Sequence, residues 1–159
     1  MNNWPKQDYN SLVEFYGKIG ENQTQLILPY PMKLAWDLNT TVKKMTCHIK
    51  VKETFREIFE EILDYYGIDK IKKLRLDVFG GTLNVRKMRG GSSWSHHSWG
   101  CVCDIDPDNN LLQWGRDKAS LAKKEYDPFW KIVYSKGMTG LGPEQNRDYM
   151  HWGGVNYKR

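Results

Sequence analysis

The chain has 159 residues, 40% of them hydrophobic and 27% charged, enough apolar material for one core and too much for a disordered chain. No apolar run approaches the roughly 18–20 residues that cross a bilayer, and 14 Gly with 6 Pro exclude collagen-like and low-complexity chains. A net charge of +5 with 7 Trp and 9 Tyr leaves three kinds of partner in view: nucleic acid, an anionic cell envelope or a sugar-containing polymer.

The first ten residues, MNNWPKQDYN, carry neither an apolar h-region nor a small-residue cleavage site, so no secretory signal is expected. A short helix is expected over residues 10–18, with Leu12, Phe15 and Tyr16 on one face. Residues 26–36, LILPYPMKLAW, read as an extended segment over the core, because Pro29 and Pro31 bar a regular helix or a central strand. The clearest helix is 50–66: Val51, Phe55, Ile58, Phe59, Ile62 and Tyr66 recur at three- and four-residue steps, and Gly67 follows as a stop. Leu74, Leu76 and Val78 alternate with Arg75 and Asp77, which predicts a strand at 73–79.

Residues 80–98 read as a loop rich in Gly, Ser and Arg. A second strand follows at 100–106, with Cys101, Cys103 and Ile105 on one side and Val102, Asp104 and Asp106 on the other. Asp106-Pro107-Asp108-Asn109 is a turn, with Asp106 and Asn109 bracing it. Asp127 as N-cap and Pro128 at the first helical position open a helix that Gly137 ends. The tail, 138–159, is polar and glycine-rich. No repeat or linker divides the chain, so residues 1–159 form a single α+β domain.

Three cysteines, Cys47, Cys101 and Cys103, are too few for a disulfide framework and read as reduced, buried thiols in a reducing compartment. Of the four histidines, His97 stands seven residues before Asp104, and His151 three residues after Asp148. Two imidazoles and a carboxylate are the ligand count of a catalytic zinc that keeps one position open for water, and Asp148 would remain as a general base. The competing reading is a set of hydrogen-bonded polar residues at a loop mouth. His48, beside Cys47 and just before the long helix, reads as a capping or packed residue.

The stretch Ser95-His96-His97-Ser98-Trp99-Gly100-Cys101-Val102-Cys103-Asp104 resembles the zinc motif of the M15 metallopeptidases. That group holds D-alanyl-D-alanine dipeptidases and carboxypeptidases and the L-alanyl-D-glutamate endopeptidases of phage lysins. Ser95, His97, Gly100 and Asp104 fall in the motif's register. Asp148 and His151, with Met150 and Trp152 beside them, match its second element. The likeness covers about residues 74–152, with residues 1–45 as an extension packed on that core. Departures are Val102 at a position for a small residue, and Trp152-Gly153 where an aromatic residue is often followed by Glu or Gln.

The resemblance implies an M15/hedgehog-like peptidase fold, a small antiparallel sheet with flanking helices. It implies one Zn²⁺ per chain on His97, Asp104 and His151, and hydrolysis of an L-Ala-D-Glu or D-Ala-D-Ala type bond in peptidoglycan stem peptide. Asp148 would be the base. Arg86, with Arg89 as its rival, would stabilise the oxyanion or bind a substrate carboxylate. Ser95 would hydrogen-bond near the metal or substrate, or cap a turn, and Trp94, Trp99, Trp114 and Trp152 would either pack in the core one by one or together line the substrate cleft. A phage or prophage lysis enzyme is implied, monomeric, made in the host cytoplasm and delivered to the wall by a holin or a phage particle. The alternative is a phage structural or envelope-binding protein that keeps the fold without hydrolysis. No nucleic-acid module motif is present, and no membrane insertion is expected.

Overall fold

The computed structural model describes residues 3–159, which fold into one α+β unit around a six-stranded mixed sheet. In chain order the elements are α1 (Tyr9–Tyr16), β1 (Gln23–Leu34), β2 (Asp37–His48), α2 (Ile49–Lys73), β3 (Val78–Gly81), β4 (Val102–Ile105), α3 (Asp127–Ser135), β5 (Thr139–Gly140), α4 (Leu141–Gln145) and β6 (His151–Gly153). The strand order is β2-β1-β3-β4-β6-β5. Only β1 and β3 run parallel, so the sheet is mixed rather than wholly antiparallel.

The long helix forms where periodicity places it. Val51, Phe55, Ile58, Phe59 and Ile62 are fully buried along one face of α2, each contributing roughly 1.5–3 kcal/mol by leaving water. Gly67, at φ 75° and ψ 160°, breaks the helix, and a further turn and a half carries it on to Lys73. Phe55 and Phe59, with Phe129 of α3, pack edge-on around Trp152 of β6, at centroid distances of 5.5, 5.9 and 5.6 Å. Trp152 thereby pins β6, next to the sheet edge, to the helical layer.

Three segments differ from expectation. Residues 26–34 do form a strand within the sheet, although they contain both prolines. The β1–β2 ladder breaks between Ile27 and Met32, and β3 pairs with β1 only at Lys33 and Leu34. The two missing N–H donors therefore never face a partner, which is how a strand tolerates proline. Residues 74–77 are turns, not strand: the Leu76 N–H returns to the Ile71 carbonyl, and Arg75 is left-handed at φ 59°. Leu74 and Leu76 are still buried, so the alternation reflects side chains tucked under a turn. The helix at 127 starts one residue earlier than predicted, with Tyr126 at the cap and no capping side chain.

Two regions carry structure that their composition did not announce. The polar run 37–48 is the edge strand β2, where exposed Lys43 and Lys44 discourage further pairing. The stretch read as an N-terminal extension thus supplies two of the six strands. The tail adds β5, α4 and β6 and ends with Val155 and Tyr157 fully buried. No helix among the described residues is long and apolar enough to cross a membrane.

Candidate metal centre

Two neighbouring strands and one tight turn build the site. Asp104 on β4 and His151 on β6 are direct cross-strand partners in the antiparallel ladder, so their side chains stand side by side on one face of the sheet. Strand alternation sends the next residue, Trp152, to the opposite face and the helical core. His97 arrives from a 3-10 turn, His96–Trp99, that ends at Gly100. Gly100 adopts φ 66°, and a Cβ there would lie 2.2 Å from Gln23 Oε1. This glycine lets the chain reverse into β4 with His97 aimed back at Asp104. Ser95 caps the turn, accepting the His97 N–H at 3.3 Å.

His97 Nε2 lies 3.1 Å from Asp104 Oδ2, and His151 Nδ1 lies 3.4 Å from Asp104 Oδ1. One ligand atom from each of the three residues lies within 4.8 Å of the others, in a largely buried position. His97 Nδ1 is 2.9 Å from the Thr82 carbonyl. A carbonyl can only accept, so the Nδ1 proton points there and a neutral His97 presents bare Nε2 to the carboxylate. Neither His97 Nε2 nor Asp104 Oδ1 has a hydrogen-bond partner among the described residues. Buried acceptors facing one another need either a shared proton, as in an imidazolium–carboxylate pair, or a cation between them. His97, Asp104 and His151 can hold a metal ion.

The same three groups are strongly coupled without a metal, the carboxylate favouring an added proton on His97 where no cation is bound. Burial pushes the Asp104 carboxyl up, but the facing imidazoles outweigh it and hold it below the usual carboxylate range. Burial pushes His97 down, and the Asp104 charge outweighs that to raise it. Asp148 is raised, first by its own burial, while His151 lowers it and Asp104 adds to the rise. It sits at φ 51°, its carbonyl accepting the His151 N–H at 3.0 Å, and it lies outside the ligand set. Its carboxyl is therefore a buried neighbour of the three ligands and a separate group.

The arginines separate. Arg86 is half-buried and its charge acts on His97; its main chain is clamped by Ser98, whose hydroxyl accepts the Arg86 N–H and donates to the Arg86 carbonyl. Arg89 is exposed on the loop. The tryptophans also separate. Trp152 is fully buried in the aromatic core, and Trp99 is buried with its Nε1 donating to the Gly17 carbonyl; both are packing residues, because strand alternation and the turn carry their rings away from solvent. Trp94 lies half-buried under Lys87, 4.0 Å from its ring, and Trp114 lies under Lys118. Trp94 and the edge of Trp99 border a groove of about 530 Å³ that also touches Tyr9, Met88 and His96.

Outside the site, Cys47, Cys101 and Cys103 are free and buried, and burial pushes the Cys47 thiol up to about 12. They are core thiols. His48 caps α2, accepting the Lys50 N–H on Nδ1 and donating from Nε2 to the Tyr16 carbonyl. Asp106 is buried, binds Arg75 at 3.0 Å and accepts from Asn109, so it braces the turn after β4. Gly153 explains one departure from the motif: opposite Val102, a Cβ would come within 2.6 Å of the Cys101 carbonyl oxygen and Val102 Cα, both rigid main chain.

Sequence reasoning missed Thr82 and Tyr157, which hydrogen-bond His97 and His151, and it weighed His96 as a rival to His97 in the motif's register, where the structure turns His96 onto Tyr157 and the Gln7 carbonyl. Nothing in the order of residues marks Tyr157, six positions past His151 in a polar tail. Comparison with protein-family models, curated proteins and solved structures finds no match for the chain.

Proposed function

We propose that this protein is a metal-dependent hydrolase of amide bonds. More particularly, it is a zinc peptidase of the M15 kind acting on the stem peptide of peptidoglycan, in phage or prophage lysis of the cell wall. The observation that carries the reading is the convergence of bare His97 Nε2, Asp104 and His151. A tetrahedral ion bound at about 2.0–2.1 Å sets its donors roughly 3.3 Å apart; the two imidazole–carboxylate distances are 3.1 and 3.4 Å. Two nitrogens and one oxygen suit zinc and leave a fourth position open.

When bound, zinc supplies Lewis acidity, polarising the scissile carbonyl and bringing the pKa of water towards about 7. The chain's residues do the rest. Asp148, a carboxyl raised by burial beside the ligands, takes the proton of the attacking water and returns it to the leaving amine. Arg86 holds the developing oxyanion or a substrate carboxylate, and its guanidinium stays charged throughout. Thr82 and Ser95 orient His97.

The test incubates the zinc-loaded protein with defined peptidoglycan fragments and reads new termini by mass spectrometry. A new D-Glu amino terminus marks an L-Ala-D-Glu cut, and released D-Ala marks a D-Ala-D-Ala cut. Intact fragments in the presence of bound zinc would overturn hydrolysis and favour the envelope-binding alternative.

A further inference from the structure

Tyr157 is fully buried, and its hydroxyl stands between two imidazoles. It lies 2.6 Å from His96 Nδ1 and 2.5 Å from His151 Nε2. The far nitrogen of His96, Nε2, lies 3.1 Å from the Gln7 carbonyl. That carbonyl can only accept, so a neutral His96 carries its proton on Nε2 and offers Nδ1 as an acceptor. Tyr157 has one proton to give, and His96 Nδ1 takes it. The phenol oxygen is then left to accept, which requires an N–H on His151 Nε2. Neutral His151 consequently has a bare Nδ1, and that is the atom 3.4 Å from Asp104 Oδ1.

We propose that Tyr157 is a positioning residue which, through His96 and the Gln7 carbonyl, locks His151 in the Nε2–H tautomer and so makes its Nδ1 a metal ligand. The proposal rests on the metal-centre reading of His97, Asp104 and His151. The lock matters because a neutral imidazole beside a carboxylate otherwise gains by turning an N–H towards it. An Nδ1 proton on His151 would satisfy Asp104 Oδ1 and occupy the direction a cation needs. His97 meets the same problem with a main-chain acceptor, Thr82. His151 meets it with a side-chain relay whose parts lie at positions 7, 96 and 157. The relay therefore makes the centre depend on both ends of the described chain: the segment before α1 supplies Gln7, and the segment after β6 supplies Tyr157.

The relay makes predictions that mere packing does not. In Tyr157→Phe the phenol oxygen is gone, and His151 is free to turn its proton to Nδ1. In His96→Leu the Tyr157 hydroxyl remains but has lost its acceptor. It then donates to His151 Nε2, and the His151 proton moves to Nδ1 facing Asp104. In His96→Asn the amide oxygen accepts the Tyr157 proton and the original tautomer is retained.

The experiment uses the full chain, ¹⁵N-labelled and metal-free, and reads long-range ¹H–¹⁵N correlations that distinguish protonated from bare imidazole nitrogens. The same proteins are titrated with zinc chloride against a chromophoric chelator. Expected are Nε2–H on His151 in the parent and in His96→Asn, and Nδ1–H in His96→Leu. Tyr157→Phe should lose the lock and bind zinc on the order of 10–100-fold more weakly. If Tyr157→Phe does not fold, the contrast between His96→Leu and His96→Asn carries the test. Retention of Nε2–H in His96→Leu and in any folded Tyr157→Phe overturns the proposal. If the parent binds no zinc while the tautomers respond as described, the metal reading falls and the relay stands.

Discussion

Zinc should stabilise this fold by an amount that grows with the logarithm of its free concentration above Kd, and substitution of Asp104 by Ala should abolish that response. The three ligands lie on β4, on β6 and on a separate turn, and are brought within 4.8 Å only by strand pairing and the Gly100 reversal. The unfolded chain therefore has no equivalent site. A ligand that binds only the native state adds about 2.7 kcal/mol at a free concentration of 100 times its Kd. With about 2.1 cal/mol/K per residue of unfolding entropy, a chain of this length should gain about 8 °C in Tm. Differential scanning calorimetry at several zinc concentrations, reversed by a chelator, measures it. Cys47, Cys101 and Cys103 become accessible on unfolding and also bind zinc, which reduces the shift. Asp104→Ala retains those thiols, so the difference between the two proteins isolates the site. An equal shift in both proteins, or none in the parent at saturating zinc, would refute the metal centre.

Asp148→Asn should lower amide hydrolysis on the order of 10²–10⁴-fold with zinc content unchanged, as elemental analysis would show; lost zinc would make Asp148 a ligand. Because burial raises the folded-state pKa of Asp148, its contribution to stability is full below the unfolded carboxyl value and is lost as pH rises through the folded one. Thermal melts of Asp148→Asn at neutral pH should therefore lie above the parent, with the gap closing in acid. Arg86→Ala should reduce hydrolysis far more than Arg89→Ala, and equal losses in a kinetic assay would remove the distinction between them. His48 is depressed by burial and accepts the α2 cap bond on Nδ1. Its stabilisation is present above the unfolded histidine value, about 6.5, and is lost as pH falls through the folded one. His48→Asn keeps a capping oxygen and should flatten the pH dependence of Tm in that window; an unchanged profile would remove His48 as the cause. Gly100→Ala should cost about 1–2 kcal/mol for its left-handed conformation, visible as a lower denaturant midpoint and weaker zinc binding.

Much of the site was legible because its signals are local. Ser95, His97, Gly100 and Asp104 lie within ten residues, and the turn between them needs a cap, a ligand, a left-handed glycine and a strand in that order. The face of α2 was legible because helical periodicity repeats over several turns. Strand 73–79 misled for the same reason in reverse: alternation reports which side chains are buried, and a turn over the core buries Leu74 and Leu76 as well as a strand does. The aromatic surplus likewise has a different meaning once placed. Trp152 and Trp99 are core and turn anchors, and among the tryptophans proposed for the cleft Trp94 keeps a half-exposed ring beside the groove.

By itself, the order of amino acids determined the α+β class, the principal helix and three residues with the chemistry to share a cation. Those properties depend on periodicity and on side-chain type, which are written in short windows. Tertiary structure alone decided that Asp104 faces His151, because cross-strand register depends on how β4 and β6 dock between their neighbours. It alone decided that Pro29 and Pro31 sit at a gap in the ladder, where no donor is missed. It also decided which tautomer each neutral imidazole of the site takes, since that follows from the partner that folding brings to the other ring nitrogen. For His97 that partner is Thr82, and for His151 it is Tyr157 backed by His96 and Gln7.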